Sequence, residues 1–226
     1  GITIFVCLTV ELVLITSAAA AETTSHFNVS SPAATAVWSA MAWLITVVWF
    51  ATMVLTVMFI RSPGVDQVMK RAFTWGLVVS IAGMGVAFLM TGPTAEQLAD
   101  FQGVAGAHTV GSEDGGPGIP LFGWSTVAGD LRVPHFVGLH ALQLIPLAVF
   151  FLRTKISVTG VDFIGVGYLI VVGLLTAQAL AGQSVVAPSP AFALGIIAAI
   201  AVPLTAAVIR GPRAETDVDS ERPAPS

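Results

Sequence analysis

Charged residues are scarce in this chain of 226 residues: they make up 10% of it, whereas 55% of the residues are hydrophobic. A soluble domain carries about 25% charged residues, so the composition excludes a soluble enzyme and a disordered chain. Basic residues are also few, 9 against 13 acidic ones, which gives a net charge of −4. Because no basic patch is present to neutralise phosphates, nucleic acid is not an expected partner.

Cysteine occurs once, as Cys7. A single cysteine excludes an internal disulfide and a CxxC metal site. The sequence also lacks a GxSxG elbow, a P-loop and an HExxH motif, so hydrolase and nucleoside-triphosphatase chemistry have no motif behind them.

Long apolar runs dominate what is present. A membrane span needs about 20 largely apolar residues, and barrel strands are shorter, with alternating polarity. We therefore predict an all-α, polytopic transmembrane helix bundle that lies in a lipid bilayer. Its six spans are expected at roughly 2–21, 37–60, 70–91, 134–152, 161–182 and 190–209.

The first span has a second interpretation. Residues 17–22 read SAAAAE, which resembles a signal-peptidase site, so 1–21 is either the first transmembrane helix or a cleaved signal peptide. Glu11 is unusual for a signal peptide, and this favours a retained helix. Cleavage would leave five spans and an external N-terminus.

Basic residues in the short connections predict the orientation. They follow the second span (Arg61), the fourth (Arg153, Lys155) and the sixth (Arg210, Arg213), whereas Arg132 is the one basic residue in the other connections. Both ends are therefore expected in the cytoplasm. The expected parts are an external segment at 22–36, a transmembrane hairpin at 37–91, an external glycine-rich cap at 92–133, three transmembrane helices at 134–209 and a disordered cytoplasmic tail at 210–226.

The cap sequence is not that of a disordered linker. Thr94 and Gln97 fit a capping box, which predicts a short surface helix with Leu98, Phe101 and Val104 on one face. Glycines follow, and they permit tight turns and close backbone approach.

All four histidines, His26, His108, His135 and His140, fall in the external connections or at the outer ends of spans. Neutral imidazole is the commonest metal ligand, and polar groups at membrane depth tend to mark function. His140 lies six residues beyond Pro134, about 9 Å along the helix, and Gln143 shares its face. His135 is about 140° away from His140 around the helix, so this spacing is a weak metal signal by itself.

These residues predict a haem or a transition metal (copper, zinc or iron) at the outer membrane edge. The cofactor-binding candidates are His108, His135, His140 and Gln143. The metal-ligand candidates are the same three histidines with Asp130, Glu113 or Asp114, and Met41 and Met90 are possible soft ligands. The alternative is that the histidines only form hydrogen bonds between helices or lie solvated at the interface.

Two further polar side chains, Glu11 and Gln178, fall inside predicted spans. A carboxylate at that depth is expected to be protonated or paired. Glu11 is expected either to form a structural hydrogen bond or to take part in a proton or solute pathway.

One block resembles a region of bacterial integral membrane proteins that have no assigned activity. It comprises HTVG at 108–111, DGGPG at 114–118, GDLRVPHF at 129–136 and GLHALQ at 138–143. The resemblance implies a bacterial inner membrane and carries no catalytic role.

The sequence thus predicts an inner-membrane protein with a histidine-lined metal or haem site for redox chemistry or electron transfer. Whether it is an enzyme is left open. One alternative is a non-catalytic subunit or assembly partner of a larger membrane complex, or a homo-oligomer. The other is a small-solute or proton carrier that uses Glu11.

Overall fold

The computed structural model describes residues 1–63 and 66–211. Nearly all of the predicted tail, from residue 212 onward, lies outside the described residues. The described chain is mostly helical.

Within these described residues, six helices are long and apolar enough to cross a membrane, which is the pattern of a multipass membrane protein. They are α1 (Ile2–Ala20), α2 (Pro32–Arg61), α3 (Gln67–Val86, continued by a 3-10 turn, Ala87–Met90), α5 (Arg132–Leu152), α6 (Val158–Leu180) and α7 (Pro190–Ile209). A short α4 (Ala95–Ala99) and two strands, β1 (Thr109–Val110) and β2 (Gly129–Asp130), lie between α3 and α5. All six predicted spans are confirmed as apolar helices.

Local capping signals account for several helix starts. The Ser31 side chain accepts a hydrogen bond from the backbone N–H of Ala34, and Pro32 follows at the first helical position. α2 therefore begins five residues before the predicted span, and the last part of the predicted 22–36 connection is helical. Asp66 and Ser157 cap α3 and α6 in the same way.

The main buried cluster joins α3, α5 and α6, and α7 packs against α6. Their buried aliphatic side chains, including Val79, Ile145 and Val161, form one cluster. At one point α3 and α5 touch through glycine backbones: a Cβ built on Gly83 would lie 2.6 Å from the Cα of Gly138. Only glycine permits this approach, because any side chain at either position would occupy the other helix.

α1 and α2 lie outside this cluster. α1 packs mainly against α2, and α2 also contacts α3. Only two residues of α1 are buried, Cys7 and Ala18, and three of α2. The first two helices thus bury few side chains, and α2 is the one that contacts the bundle, through α3.

The connecting segment, residues 91–131, is folded. The capping box is confirmed, because the Thr94 and Gln97 side chains each bond the other's backbone N–H. The predicted surface helix is wrong beyond Ala99: α4 has five residues, so Phe101 and Val104 are not on its face. The Gln97 side-chain amide also accepts a hydrogen bond from the backbone N–H of Gly106 and donates one to its carbonyl. These two bonds turn the chain back toward the bundle.

Candidate functional site

A cavity of about 750 Å³ lies between α1, α2, α3 and α5. Most of its wall is apolar, with aromatic and methionine side chains that include Trp38, Trp49, Met41 and Met90. Apolar walls with a few convergent polar groups are typical of small-molecule and cofactor sites, which measure about 300–1,000 Å³. The polar lining includes Glu11, His26, His108, Arg132, His135, His140 and Gln143.

All four histidines of the chain line this one cavity. The three predicted cofactor-binding histidines and Gln143 are therefore brought together around one space. His135 and His140 both reach it although they point in different directions, because the cavity is bounded by several helices rather than by one helix face. His26 was not predicted as a site residue. The only sequence signal for it was that all four histidines fell in the external connections or at the outer ends of spans.

His135 is held by α3. Its Nδ1 lies 2.8 Å from the backbone carbonyl oxygen of Gly83. A carbonyl only accepts, so Nδ1 carries the proton of the neutral ring and donates it. The remaining nitrogen, Nε2, is then an unprotonated lone-pair donor. Metal-ligating histidines almost always have their other nitrogen bound in this way to a carboxylate or a backbone carbonyl.

His108 shows the same arrangement in the connecting segment. Its Nδ1 lies 2.9 Å from Oδ2 of Asp114, and its backbone N–H and that of Thr109 also donate to this carboxylate. Partial burial pushes the pKa of Asp114 upward, but these hydrogen bonds outweigh it and hold the pKa well below its ordinary value. Asp114 is therefore ionised at neutral pH and can only accept, so the neutral ring of His108 carries its proton on Nδ1 and has Nε2 free.

His26 reaches the cavity from the segment between α1 and α2. Backbone hydrogen bonds join this segment to the connecting segment, from Ala105 to the Phe27 carbonyl and from Val29 to the Gly103 carbonyl, both 2.9 Å. The His26 ring packs on Phe27 and Trp38, with centroid distances of 6.2 and 5.6 Å. This desolvation, and then the proximity of His108, lower the pKa of His26.

His140 lies deeper, on α5. Its ring packs against that of Phe136 at a centroid distance of 4.2 Å. Within residues 1–63 and 66–211, no hydrogen bond from the protein holds its ring. His140 is thus less constrained than His135.

Arg132 is the cationic residue of the lining. Its Nε donates to Oδ1 of Asp130 over 3.0 Å, and its Nη2 donates to Oδ2 over 2.7 Å. Asp130 is only 2% exposed and also accepts from the backbone N–H groups of Ser125 and Arg132. Asp130 was a predicted metal ligand, but the structure uses its oxygens to fix the arginine.

The predicted set of metal ligands does not form a cluster. Among the residues that the structure describes, no group of three or more histidine, cysteine, aspartate or glutamate side chains is arranged to hold a metal ion. Glu113 is exposed, and neither it nor Asp114 nor Asp130 lines the large cavity.

The two intramembrane polar residues lie apart. Glu11 lines the large cavity from α1. Gln178 is 2% exposed on α6 and donates to the Ser184 carbonyl, and it lines a separate space of about 10 Å³. The Ser184 hydroxyl in turn donates to the carbonyl of Ser125. Gln178 is thus part of a structural network that ends at Asp130, and it does not join Glu11.

Comparisons with family models, curated proteins and solved structures give no match to this chain.

Proposed function

We propose that this protein binds haem in the histidine-lined cavity and serves membrane electron transfer. The observation that carries the proposal is the hydrogen bond of His135: its Nδ1 lies 2.8 Å from the carbonyl oxygen of Gly83, which assigns the proton to Nδ1 and leaves Nε2 free to bind iron. A haem iron bound by histidine exchanges single electrons, at a potential set by its ligands and surroundings.

Haem is favoured over a bare metal ion by the donor set. A structural zinc site needs about four protein ligands, and no group of even three is assembled among the described residues. Haem iron is already held by its macrocycle and takes one or two axial side chains. The volume and the apolar wall of the cavity also suit a large flat ring better than a single ion.

His135 and His108 are the residues that would hold the haem iron, because each has its Nδ1 held by an acceptor. Met41 and Met90 are buried in the same wall and offer the alternative thioether ligand. The carbonyl of Gly83 and the carboxylate of Asp114 orient the two rings and increase their basicity.

The test is absorbance spectroscopy and iron analysis of the detergent-purified full chain. We expect near-stoichiometric iron and a haem spectrum that changes on reduction. His135→Ala should lose most of the haem, and added imidazole should restore it by replacing the missing side chain. Gln102→Ala, at an exposed position outside the cavity, is the control and should leave the spectrum unchanged.

Three results would overturn the proposal. One is protein from haem-replete cells that carries no iron and takes up no haem. Another is zinc or copper at one equivalent without iron. The third is full haem retention in the double variant that carries both His135→Ala and His108→Ala.

We further propose a bacterial inner-membrane location with the cavity on the external side and the C-terminus in the cytoplasm. The arginines and lysines after α2, α5 and α7 support this orientation. A fusion after Gly211 should be active as a fluorescent protein and inactive as alkaline phosphatase. The reverse pattern would place the histidines inside.

A second candidate is a proton or small-solute carrier, which is favoured by Glu11 and Gln143 lining the same cavity. Glu11→Gln should then abolish flux in proteoliposomes, whereas Glu22→Gln, an exposed residue after α1, should not. Equal flux in both variants would reject the carrier.

A further inference from the structure

Arg132 occupies the first position of α5, at the end of the cavity that the connecting segment covers. Three hydrogen bonds fix its guanidinium: two to Asp130 and one from Nη2 to the Gly123 carbonyl over 2.7 Å. Such a fork holds a planar cation in one orientation, unlike a flexible lysine.

One edge of this guanidinium has no partner in the described part of the protein. Nε and Nη2 are used, whereas Nη1 donates to no acceptor among residues 1–63 and 66–211. The Asp130 carboxylate pairs with Nε and Nη2 and does not line the cavity, whereas Arg132 does. The structure thus presents a fixed guanidinium, with an Nη1 that the described residues do not use, in the lining of a mostly apolar cavity.

We infer that the cavity ligand carries a carboxylate that Arg132 binds through Nη1. The inference rests on the proposed function and adds to it the group that orients the cofactor. Haem has two propionate side chains on one edge of its ring, so the arginine end selects which edge faces the connecting segment. The apolar remainder of the ring then lies among the aromatic and methionine side chains.

The experiment compares two ferric porphyrins that differ only in charge: protoporphyrin IX and its dimethyl ester. Each is titrated into the detergent-purified full chain prepared without haem, as wild type and as Arg132→Gln. Because the two porphyrins partition differently into micelles, the quantity compared is the ratio of their dissociation constants. The wild-type preference for the free acid should fall about tenfold or more in Arg132→Gln, as expected for losing one charge-assisted hydrogen bond. Binding of the ester should change little.

Arg132→Lys tests the same point if the glutamine variant does not fold. Lysine keeps the charge without the fork, so the preference should fall only in part. An unchanged ratio in the folded variants would overturn the inference while leaving haem binding intact, and would mean that Arg132 serves Asp130 or a lipid phosphate instead. Failure of wild type to bind either porphyrin would overturn the proposed function itself.

Discussion

Gly83 connects the packing of the bundle to the chemistry of the cavity. Its carbonyl oxygen orients His135, and its missing side chain allows α3 and α5 to touch. Alanine at this position would put a Cβ 2.6 Å from Cα and 2.8 Å from C of Gly138. Ordinary contacts begin at 3.4 Å, so the two helices must separate by nearly 1 Å at this crossing. Both neighbours are backbone atoms, which cannot rotate away.

The matched control is Gly85, two residues further along the same helix. A Cβ there meets nothing within 4 Å. Both alanine variants gain the same helix propensity, about 1 kcal/mol, so the difference between them isolates the steric term. Inserting a methyl group into a packed interface costs about 1–3 kcal/mol, and we expect Gly83→Ala to be less stable than Gly85→Ala by that amount.

Gly83→Ala and Gly85→Ala also test whether the position of Gly83 affects haem binding. Displacing α3 moves the acceptor of His135, and loss of such an orienting partner typically lowers metal affinity by about 10–100-fold. Thermal unfolding followed by tryptophan fluorescence gives the stability difference, and haem titration gives the affinity. Equal stability and equal haem affinity in the two variants would refute the reasoning about this crossing.

Three further predictions follow from side chains already described. The low pKa of Asp114 means that the ionised carboxylate stabilises the folded protein at neutral pH. This stabilisation is lost as the pH falls below about 4 toward the pKa of Asp114 in the folded state. Asp114→Asn should therefore flatten the acid arm of a curve of stability against pH. Gly165→Ala should destabilise by about 1–3 kcal/mol because its Cβ would overlap the Trp75 ring, whereas Gly173→Ala, with open space around it, should not; similar melting temperatures would contradict this. Trp75→Phe removes the indole hydrogen bond to Asp162 (2.8 Å) and should cost about 1.5–3 kcal/mol in denaturant titrations; no change would mean that Arg71 alone satisfies the carboxylate.

The sequence predicted the helices well, because crossing a bilayer requires long apolar runs that composition reveals directly. The errors fall at helix ends, where single capping residues decide. Ser31 and Pro32 start α2 early, and α4 ends at Ala99 although apolar residues continue beyond it. The capping box at Thr94 was readable because it is a local motif with fixed spacing.

The site was only partly readable. Clustering of the histidines at one end was visible, but the partners that set their tautomers were not. The Gly83 carbonyl is 52 residues from His135 in the chain, and no side-chain pattern marks a backbone acceptor. The pairing of Asp130 with Arg132 was not predicted, because it depends on how residues 125–132 turn. His26 was overlooked because its place depends on how the segment between α1 and α2 folds back.

The position of the cavity has a consequence for how the chain unfolds. The cavity separates the pair α1 and α2, which buries few side chains, from the cluster formed by α3, α5 and α6. An element with few buried contacts opens at a lower free energy than the rest of the molecule, in a sub-global step. A molecule bound between the two groups would be released by that step, so its binding energy opposes the opening. Occupancy of the cavity would therefore decide between two modes of unfolding. The protein would unfold in one cooperative transition, or α1 and α2 would separate from the other helices first.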